Sequence, residues 1–343
     1  MRHTLGLLLL CCCGTLCRAS EPDASGKAAA DLAIGAKFQA LDTLQPQAAP
    51  ADDLQQKCLD GLCWKPAPFH VVLEEATGDT DWLVRFPSPV TSTHPQNDAV
   101  ALEWFVARDE AGEVASRPAV VVVHESGRGM TVGKLFARGF RKAGYHAFLL
   151  HLPGYGARSW GATPAADELM VLLRQGIADV RRARDAVACL PGVDRDSISL
   201  QGTSLGGIVS ATVAGVDQQY TAIFLLLAGG DLPSLIQNGQ RDAAKLRQQL
   251  QEAQVTEDGL RELVEMIDPL HLASRMNRER VWLYSGRYDT VVPMHNAEIL
   301  AKTASLAREH HVVMPVDHYT GIFYFPVVMK HMDQQIRSLK LQQ

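Results

Sequence analysis

The residues best placed to do chemistry are the five at 202–206, in which Ser204 stands two positions from a glycine on each side. The preceding residues 197–201 have the pattern of a short strand, and residues 207–214 are small side chains with the pattern of a helix. A strand that becomes a helix at one residue strains that residue and crowds its neighbours two positions away, so those neighbours must lack bulk. The spacing predicts a serine hydroxyl that acts as a nucleophile.

A serine hydroxyl becomes a good nucleophile when a histidine takes its proton and a carboxylate orients that histidine. His318 and Asp289 each follow an apolar run that predicts a strand, and both come after Ser204. Two other carboxylates compete with Asp289 for the orienting role. Asp231 also follows an apolar run, and Asp317 is adjacent to His318, although neighbouring residues at a strand end point to opposite sides.

The strand, turn and helix around residues 202–206 resemble the α/β-hydrolase superfamily, and the chain order Ser204, Asp289, His318 is the order of that superfamily. Within it, the chain is similar to dienelactone-hydrolase-like and acetyl-esterase-like members. The resemblance implies that Ser204 attacks, His318 is the base and Asp289 orients the imidazole.

Acyl transfer also needs hydrogen-bond donors for the oxyanion, usually two backbone N–H groups. Leu205 follows the nucleophile at a helix start and is the first candidate. The resemblance places the second donor after the strand that ends before His124, at Ser126. The superfamily commonly has His-Gly here, whereas this chain has Glu125 in place of the glycine. The second donor is therefore Ser126 or Glu125, and the Glu125 carboxyl group is alternatively a structural group bonded locally.

A loop at residues 151–159 is similar to the superfamily's Asp-x-Pro-Gly-x-Gly-x-Ser loop, with His151 in place of the aspartate. This loop supports the fold and predicts no catalytic role. The remaining histidines near predicted strand ends are expected to be structural; they are His124, His151, His295, His310 and His311.

The rest of the chain predicts an α/β class protein with the α/β-hydrolase fold, a mostly parallel eight-stranded sheet with helices on both faces. Apolar runs that predict strands recur at residues 69–73, 99–107, 119–123, 146–150, 198–201, 222–227, 281–284 and 312–316. Helical spacing separates most of the later runs, as at 165–189 and 326–339, which favours parallel pairing. The first two or three strands lack intervening helices and are expected to be antiparallel. The hydrolase domain is predicted to span residues 66–343.

One segment interrupts the alternation of strand and helix. Residues 232–268 are polar and glutamine-rich, with leucines at helical spacing that indicate two or three amphipathic helices. The superfamily often inserts a cap over the active site at this point. Residues 232–268 are therefore predicted to be a small helical cap, with a peripheral insertion as the alternative.

Composition narrows the possible functions. The chain has 343 residues, of which 47% are hydrophobic and 21% charged, so it is long enough for one large core. Its net charge of -5 gives no basic surface for nucleic acid. The glycines near Ser204 lack the lysine of a nucleotide-binding P-loop, and the seven cysteines lack metal-ligand spacing. No cofactor and no metal site are predicted.

The N-terminus has the pattern of an export signal. A basic start precedes a short apolar run, and small residues follow it, so residues 1–19 are predicted to be a cleaved signal peptide that directs the protein to the periplasm or outside the cell. The run is too short to span a membrane stably. A lipoprotein is the alternative, because cysteines follow leucines here. Residues 20–65 are predicted to be a loosely ordered arm or linker.

Cleavage of that signal would leave three cysteines. In an oxidising compartment Cys58 and Cys63 could form a disulfide, with Cys189 buried and free; the alternative is three free thiols.

Together these patterns predict an exported serine hydrolase that cleaves a small-molecule carboxylic ester through an acyl-enzyme. Two alternatives remain. One is a serine peptidase of the prolyl oligopeptidase type, although the N-terminal region is too short for the propeller of those enzymes. The other is a non-catalytic binding module built on a hydrolase fold. The oligomeric state is not predicted.

Overall fold

One sheet runs through the part of the chain that the computed structural model describes, residues 32–46, 49–161 and 166–341. The strands in this part are β1 (Lys37–Ala40), β2 (Phe69–Glu75), β3 (Trp82–Pro87), β4 (Ala99–Phe105), β5 (Arg117–Val123), β6 (His146–His151), β7 (Val193–Thr203), β8 (Ile223–Leu226), β9 (Val281–Gly286) and β10 (His311–Met314). The α-helices are α1 (Asp53–Leu62), α2 (Pro95–Asp98), α3 (Thr131–Lys142), α4 (Ala166–Ala188), α5 (Leu205–Ala214), α6 (Leu232–Asn238), α7 (Asp242–Glu252), α8 (Glu257–Glu265), α9 (Pro269–Leu272), α10 (Met294–Thr303) and α11 (Phe325–Lys340).

The strand order is β1-β2-β3-β4-β6-β5-β7-β8-β9-β10. The first four strands pair antiparallel with their neighbours, and the six strands from β5 to β10 pair in parallel. Parallel strands place all their carboxyl ends at one edge of the sheet, where ligand sites form in such folds. This is the α/β class with the antiparallel start that the sequence predicts.

The core lies in two layers, one on each face of the sheet. In β5 the consecutive valines alternate between them, so Val121 and Val123 face one layer while Val120 and Val122 face the other. This explains why the run is uniformly apolar rather than alternating with polar residues. Helices α4 and α5 cover the first layer, and helices α3 and α11 cover the second.

The predicted count of eight strands is wrong, because ten strands are present in the described residues. The two additional strands are β1 and β3. Strand β1 has only four residues, and β3 has Arg85 at its centre and Pro87 at its end. Strand β1 pairs with the distant strand β2, and β3 pairs with β2 on one side and β4 on the other, so both strands form through sheet pairing.

The predicted linker at residues 20–65 also needs correction where the structure describes it. Strand β1 and helix α1 belong to the folded body, and Leu44, Cys58 and Leu62 are buried. Polar contacts fix this segment to α4: the Thr43 N–H donates to Asp185 Oδ2 at 2.8 Å, and Arg182 pairs with Asp42. The predicted signal peptide at residues 1–19 lies outside the described residues.

Cys58, Cys63 and Cys189 are free thiols. Burial raises the pKa of Cys58 and Cys63 to about 11 and that of Cys189 to about 12. All three therefore remain protonated and unreactive near neutral pH.

The insertion at residues 232–268 folds as α6, α7 and α8, and its apolar side chains face the body of the protein. They line one narrow apolar gap together with side chains of α4 and α5; the insertion contributes Leu232, Leu235, Ile236, Leu246, Val264 and Ile267. Of the described residues in this insertion, Asp242 lines the cavity beside Ser204. Its role as a cap over substrate stays a prediction, and its apolar faces are already covered by helices.

A substitution at Leu235 tests whether the apolar face of the insertion packs against the body or contacts substrate. Leu235 lies on α6, lines the apolar gap and is 7% exposed. We expect Leu235→Ala to lower the free energy of unfolding by about 2–4 kcal/mol, since a buried cavity replaces the side chain. We expect the relative rates on acetyl, butyryl and octanoyl esters to stay unchanged. Urea unfolding and steady-state kinetics measure the two effects; a changed acyl preference with intact stability would instead support contact with substrate.

Candidate active site

Ser204 occupies the turn between β7 and α5 with φ 54° and ψ −116°, a conformation that is strained for a residue with a side chain. The glycines on either side allow it. A Cβ atom on Gly202 would lie 2.2 Å from the Gly206 carbonyl oxygen, and one on Gly206 would lie 2.3 Å from the Val123 carbonyl oxygen. The spacing in the sequence therefore reflects two backbone contacts that exclude any larger residue.

The structure brings Ser204, His318 and Asp289 into one hydrogen-bonded chain. Ser204 Oγ lies 2.9 Å from His318 Nε2, and His318 Nδ1 lies 2.7 Å from Asp289 Oδ2. The Asp289 carboxylate is an acceptor, so Nδ1 carries the ring hydrogen and Nε2 is free to accept the Ser204 hydroxyl proton. This is the arrangement that a general base requires.

Asp289 is held from both sides. Its Oδ1 atom accepts hydrogen bonds from the Val291 and Val292 N–H groups at 2.8 and 2.9 Å, which leaves Oδ2 for His318. The side chain of Asp289 is 1% exposed and that of His318 is 9% exposed. Buried charge-assisted hydrogen bonds of this kind fix the imidazole orientation.

The two competing carboxylates serve other partners. Asp231 Oδ1 accepts the Ser234 N–H at 3.3 Å and so caps the start of α6. Asp317 Oδ1 accepts the N–H groups of Tyr319 and Thr320, which hold the loop that carries His318. Backbone hydrogen bonds, chiefly from Thr320 and Tyr319, lower the pKa of Asp317.

Two backbone segments beside Ser204 carry the predicted oxyanion donors. Leu205 is the first residue of α5, and the N–H groups of a first helical turn have no acceptor within the helix. Ser126 lies in the loop between β5 and α3 and lines the same cavity as Ser204. The hydroxyl of Tyr155 donates to the Ser126 carbonyl oxygen at 3.1 Å and fixes that peptide.

The carbonyl groups of this loop define where its N–H groups point. The His124 carbonyl oxygen faces Gly206, close to where a Cβ of that glycine would lie. The Glu125 carbonyl oxygen accepts from His124 Nδ1 at 2.5 Å. In a trans peptide the N–H points opposite to the carbonyl, so the Glu125 N–H points away from Gly206 and the Ser126 N–H away from the His124 ring.

The Glu125 side chain has a structural partner. Its two carboxylate oxygens accept the N–H groups of Val132 and Gly133 at 3.1 and 3.0 Å, at the start of α3. Helix α3 begins after Met130 without a side-chain cap of its own. The Glu125 carboxylate accepts backbone N–H groups that have no partner within the helix, and its negative charge interacts favourably with the helix dipole.

His124 is neutral at physiological pH. Burial lowers its pKa to about 4, and its Nε2 atom accepts the Leu152 N–H at 3.1 Å. Below about pH 6.5 the unfolded chain gains a proton at this histidine, whereas the folded chain gains one only near pH 4. The stability that the neutral form contributes is therefore lost as the pH falls from about 6.5 to about 4.

We expect wild-type protein to lose about 2 kcal/mol more unfolding free energy than His124→Gln between about pH 7.5 and pH 5. Urea denaturation at the two pH values measures the difference. The remaining histidines are identical in the two proteins and cancel in the difference, among them His146, whose pKa burial also lowers. Equal pH dependence in the two proteins would contradict the assigned protonation state.

A cavity of about 270 Å³ opens beside Ser204. Its polar lining is contributed by Glu125, Ser126, Thr203, Ser204, Asp242, His318 and Tyr319, and its apolar lining includes Val132, Phe136, Leu226, Met314, Phe325 and Val328. The apolar residues come from α3, β8, β10 and α11, which are far apart in the sequence. The sequence patterns did not indicate them as functional, and no local spacing links them.

The remaining predicted structural histidines have partners outside this cavity. His151 Nε2 lies 3.2 Å from a Glu103 carboxylate oxygen, and His295 bonds the Ser234 hydroxyl at 3.0 Å. His311 bonds the buried Ser285 hydroxyl at 2.7 Å. Within the described residues no cluster of three or more histidine, cysteine or acidic side chains is placed to hold a metal ion, and no helix there is long and apolar enough to cross a membrane.

No known family model matches the sequence, and no curated protein matches it. Solved structures do resemble it. Acetyl xylan esterase 1 from Thermoanaerobacterium sp. JW/SL YS485 superposes with a TM-score of 0.60 at 16% identity, over 86% of this chain and 96% of that one. An acetyl xylan esterase from Paenibacillus sp. R4 gives a TM-score of 0.60 at 16% identity, over 85% and 97%.

The α/β hydrolase GrgF from Penicillium sp. sh18 is also similar, with a TM-score of 0.53 at 13% identity, over 75% of this chain and 97% of that one. At these identities the likeness concerns the fold. The chain has the α/β-hydrolase fold.

Proposed function

We propose that this protein is a serine hydrolase that cleaves carboxylic esters through an acyl-enzyme. The observation that carries the proposal is the chain of hydrogen bonds from Ser204 through His318 to Asp289, which opens into a cavity. The same three residue types in this geometry perform acyl transfer on several unrelated folds. Two similar structures are acetyl xylan esterases, which favours an ester as the bond that is cleaved.

In the proposed reaction Ser204 Oγ forms a bond to the ester carbonyl carbon while His318 Nε2 accepts the hydroxyl proton. The tetrahedral intermediate then collapses, the bond to the alcohol oxygen breaks, and His318 returns the proton to the departing alcohol. Water repeats the two steps on the acyl-enzyme and releases the acid. Asp289 stays ionised throughout and stabilises the imidazolium.

We assign the oxyanion donors to the N–H groups of Leu205 and Ser126. Leu205 stands at the positive end of α5. Ser126 is favoured over Glu125 for a geometric reason. The His124 carbonyl oxygen faces Gly206, so the Glu125 N–H of the same peptide points away from Gly206. The Glu125 carboxylate is engaged at the start of α3 and takes no part in the proposed chemistry.

Tyr155 then acts as a positioning residue, since its hydroxyl holds the peptide that joins Ser126 to Gly127 and so restrains the residue whose N–H is the donor. We expect Tyr155→Phe to lower kcat by about tenfold and to leave KM within about twofold, because an oriented oxyanion donor acts mainly in the transition state. Steady-state kinetics on a nitrophenyl acetate measure both constants. A rise in KM with unchanged kcat would assign Tyr155 to substrate binding instead.

A fluorophosphonate that labels activated serines tests the proposal as a whole. We expect one adduct per chain, mapped by peptide mass spectrometry to Ser204 and lost in His318→Ala. A folded protein that remains unlabelled and hydrolyses no ester would refute catalysis and favour a binding module.

We also infer that the protein is exported, because the basic start and apolar run of residues 1–19 have the pattern of a cleaved signal. The intact mass of the protein recovered outside the cytoplasm tests this. A mass that includes residues 1–19 would contradict cleavage.

A further inference from the structure

The cavity beside Ser204 extends away from the catalytic groups into the layer between the sheet and helices α3 and α11. Phe136, Leu226, Met314 and Val328 line it and also belong to the buried core of that layer, each less than 10% exposed. Ser204 and His318 line the same cavity. A substrate whose carbonyl lies at Ser204 therefore has room for another part between the sheet and helices α3 and α11.

The wall of this inner part offers no conventional hydrogen-bond donor or acceptor from its side chains. Val132, Phe136, Leu226, Met314, Phe325 and Val328 are hydrocarbon side chains apart from one thioether. A hydroxyl or a charge placed against them would lose its hydration without replacement, which costs several kcal/mol for a hydroxyl and more for a charge. A sugar ring or a carboxylate is therefore excluded from this part of the cavity.

The cavity is also large for a small acyl group. On the measure by which one water molecule needs about 10–15 Å³, the whole cavity, including its polar part, has about 270 Å³. A two-carbon acetyl group would leave most of the apolar wall without contacts. An extended hydrocarbon chain of several carbons covers the wall and gains its burial energy.

We propose that the substrate is an ester with an unbranched aliphatic chain of medium length, and that this chain lies in the apolar part of the cavity between α3 and α11. The inference rests on the proposed esterase function and specifies its substrate class. The two aromatic rings of Phe136 and Phe325 form part of the wall, packed edge to face with centroids 5.0 Å apart. Gly139 permits this contact, because a Cβ there would lie 2.8 Å from the Phe325 ring.

The wild-type test is a series of chain lengths measured on each side of the ester. One arm uses nitrophenyl esters from acetyl to dodecanoyl, and the other uses butyrate esters of methanol to octanol followed by acid release. We expect kcat/KM in one arm to rise about fourfold for each added methylene, until the cavity is filled, and then to fall. The arm that shows the rise identifies whether the chain is the acyl or the alkyl part.

Two variants connect this preference to the cavity. Val132→Phe places a ring in the apolar part, and we expect the ratio of hexanoyl to acetyl rates, or of hexyl to methyl rates, to fall at least tenfold. The matched control is Val171→Phe on α4, an exposed valine outside the cavity, which should leave the ratio unchanged. If Val132→Phe fails to fold, Phe136→Leu is the second variant. It enlarges the apolar part of the cavity and should shift the preferred chain length to longer chains.

The outcomes separate the two proposals. Turnover of acetyl and methyl esters with rates that decline steadily in both arms would overturn the aliphatic-chain inference and leave the esterase proposal standing. Equal ratios in Val132→Phe and Val171→Phe would likewise overturn the placement of the chain. Absence of turnover on every ester, together with an unlabelled Ser204, would overturn the esterase function itself.

Discussion

Replacing Ser204 with alanine is expected to lower kcat on a short-chain nitrophenyl ester by roughly 10⁴- to 10⁶-fold. In the proposed reaction the hydroxyl forms the covalent bond to the acyl group, and a water in the variant would be neither held at 2.9 Å from His318 Nε2 nor attached to the protein. His318→Ala should produce a loss of the same order, because nucleophile and base act as a unit. The double variant should lose little more than either single one.

The matched control is a second serine and histidine pair in the same chain. Ser285 Oγ lies 2.7 Å from His311 Nε2, much as Ser204 contacts His318, but Ser285 is 2% exposed and its pair does not line the cavity. We expect Ser285→Ala to keep kcat within about twofold and to cost about 1 kcal/mol of stability from the lost hydrogen bond. Thermal unfolding of all variants should show that Ser204→Ala is folded. Normal turnover by folded Ser204→Ala would exclude the proposed nucleophile.

The turn around Ser204 could be predicted from the sequence because its strand, glycine and helix pattern recurs wherever a strand becomes a helix at one residue. Gly202 is required by a contact with the Gly206 carbonyl oxygen within the same turn, whereas Gly206 is required by the Val123 carbonyl oxygen of the neighbouring strand β5. The parallel half of the sheet was equally predictable, since its strands are long apolar runs separated by helical patterns. Whether Ser204, Asp289 and His318 catalyse a reaction stays a prediction.

Features that depend on contacts between distant parts of the chain were harder to predict from the sequence. Strand β1 forms by pairing with β2 about 30 residues further along the chain, and the segment that contains β1 and α1 was predicted to be a linker. The insertion at 232–268 was recognised as helical, but an amphipathic pattern does not say which surface the apolar face covers. The cavity wall joins α3 to α11, which are separated in the sequence by strands β6 to β10, so only the fold brings them together.

The second large effect on kcat is expected at Asp289. Of the three candidate carboxylates, Asp289, Asp231 and Asp317, it is Asp289 that bonds the imidazole of His318. We expect Asp289→Asn to lower kcat by roughly 10³- to 10⁴-fold. Oδ1 of residue 289 accepts two N–H groups, from Val291 and Val292, so the asparagine oxygen should remain there. The amide nitrogen then faces His318 and donates to Nδ1, which moves the ring hydrogen to Nε2. A histidine with a hydrogen on Nε2 cannot accept the proton of Ser204.

The same substitution at the two competing carboxylates supplies the controls. Asparagine at 231 or 317 can still accept the backbone N–H groups that the aspartate accepts, and it tolerates the positive φ of 57° at residue 231. We therefore expect Asp231→Asn and Asp317→Asn to retain kcat within about threefold, since neither side chain sets the imidazole tautomer. Steady-state kinetics on one ester, with thermal unfolding to check each fold, compare the three variants directly. If Asp231→Asn were inactive and Asp289→Asn active, the orienting carboxylate would be Asp231, and the hydrogen bond from His318 Nδ1 to Asp289 would have no catalytic role.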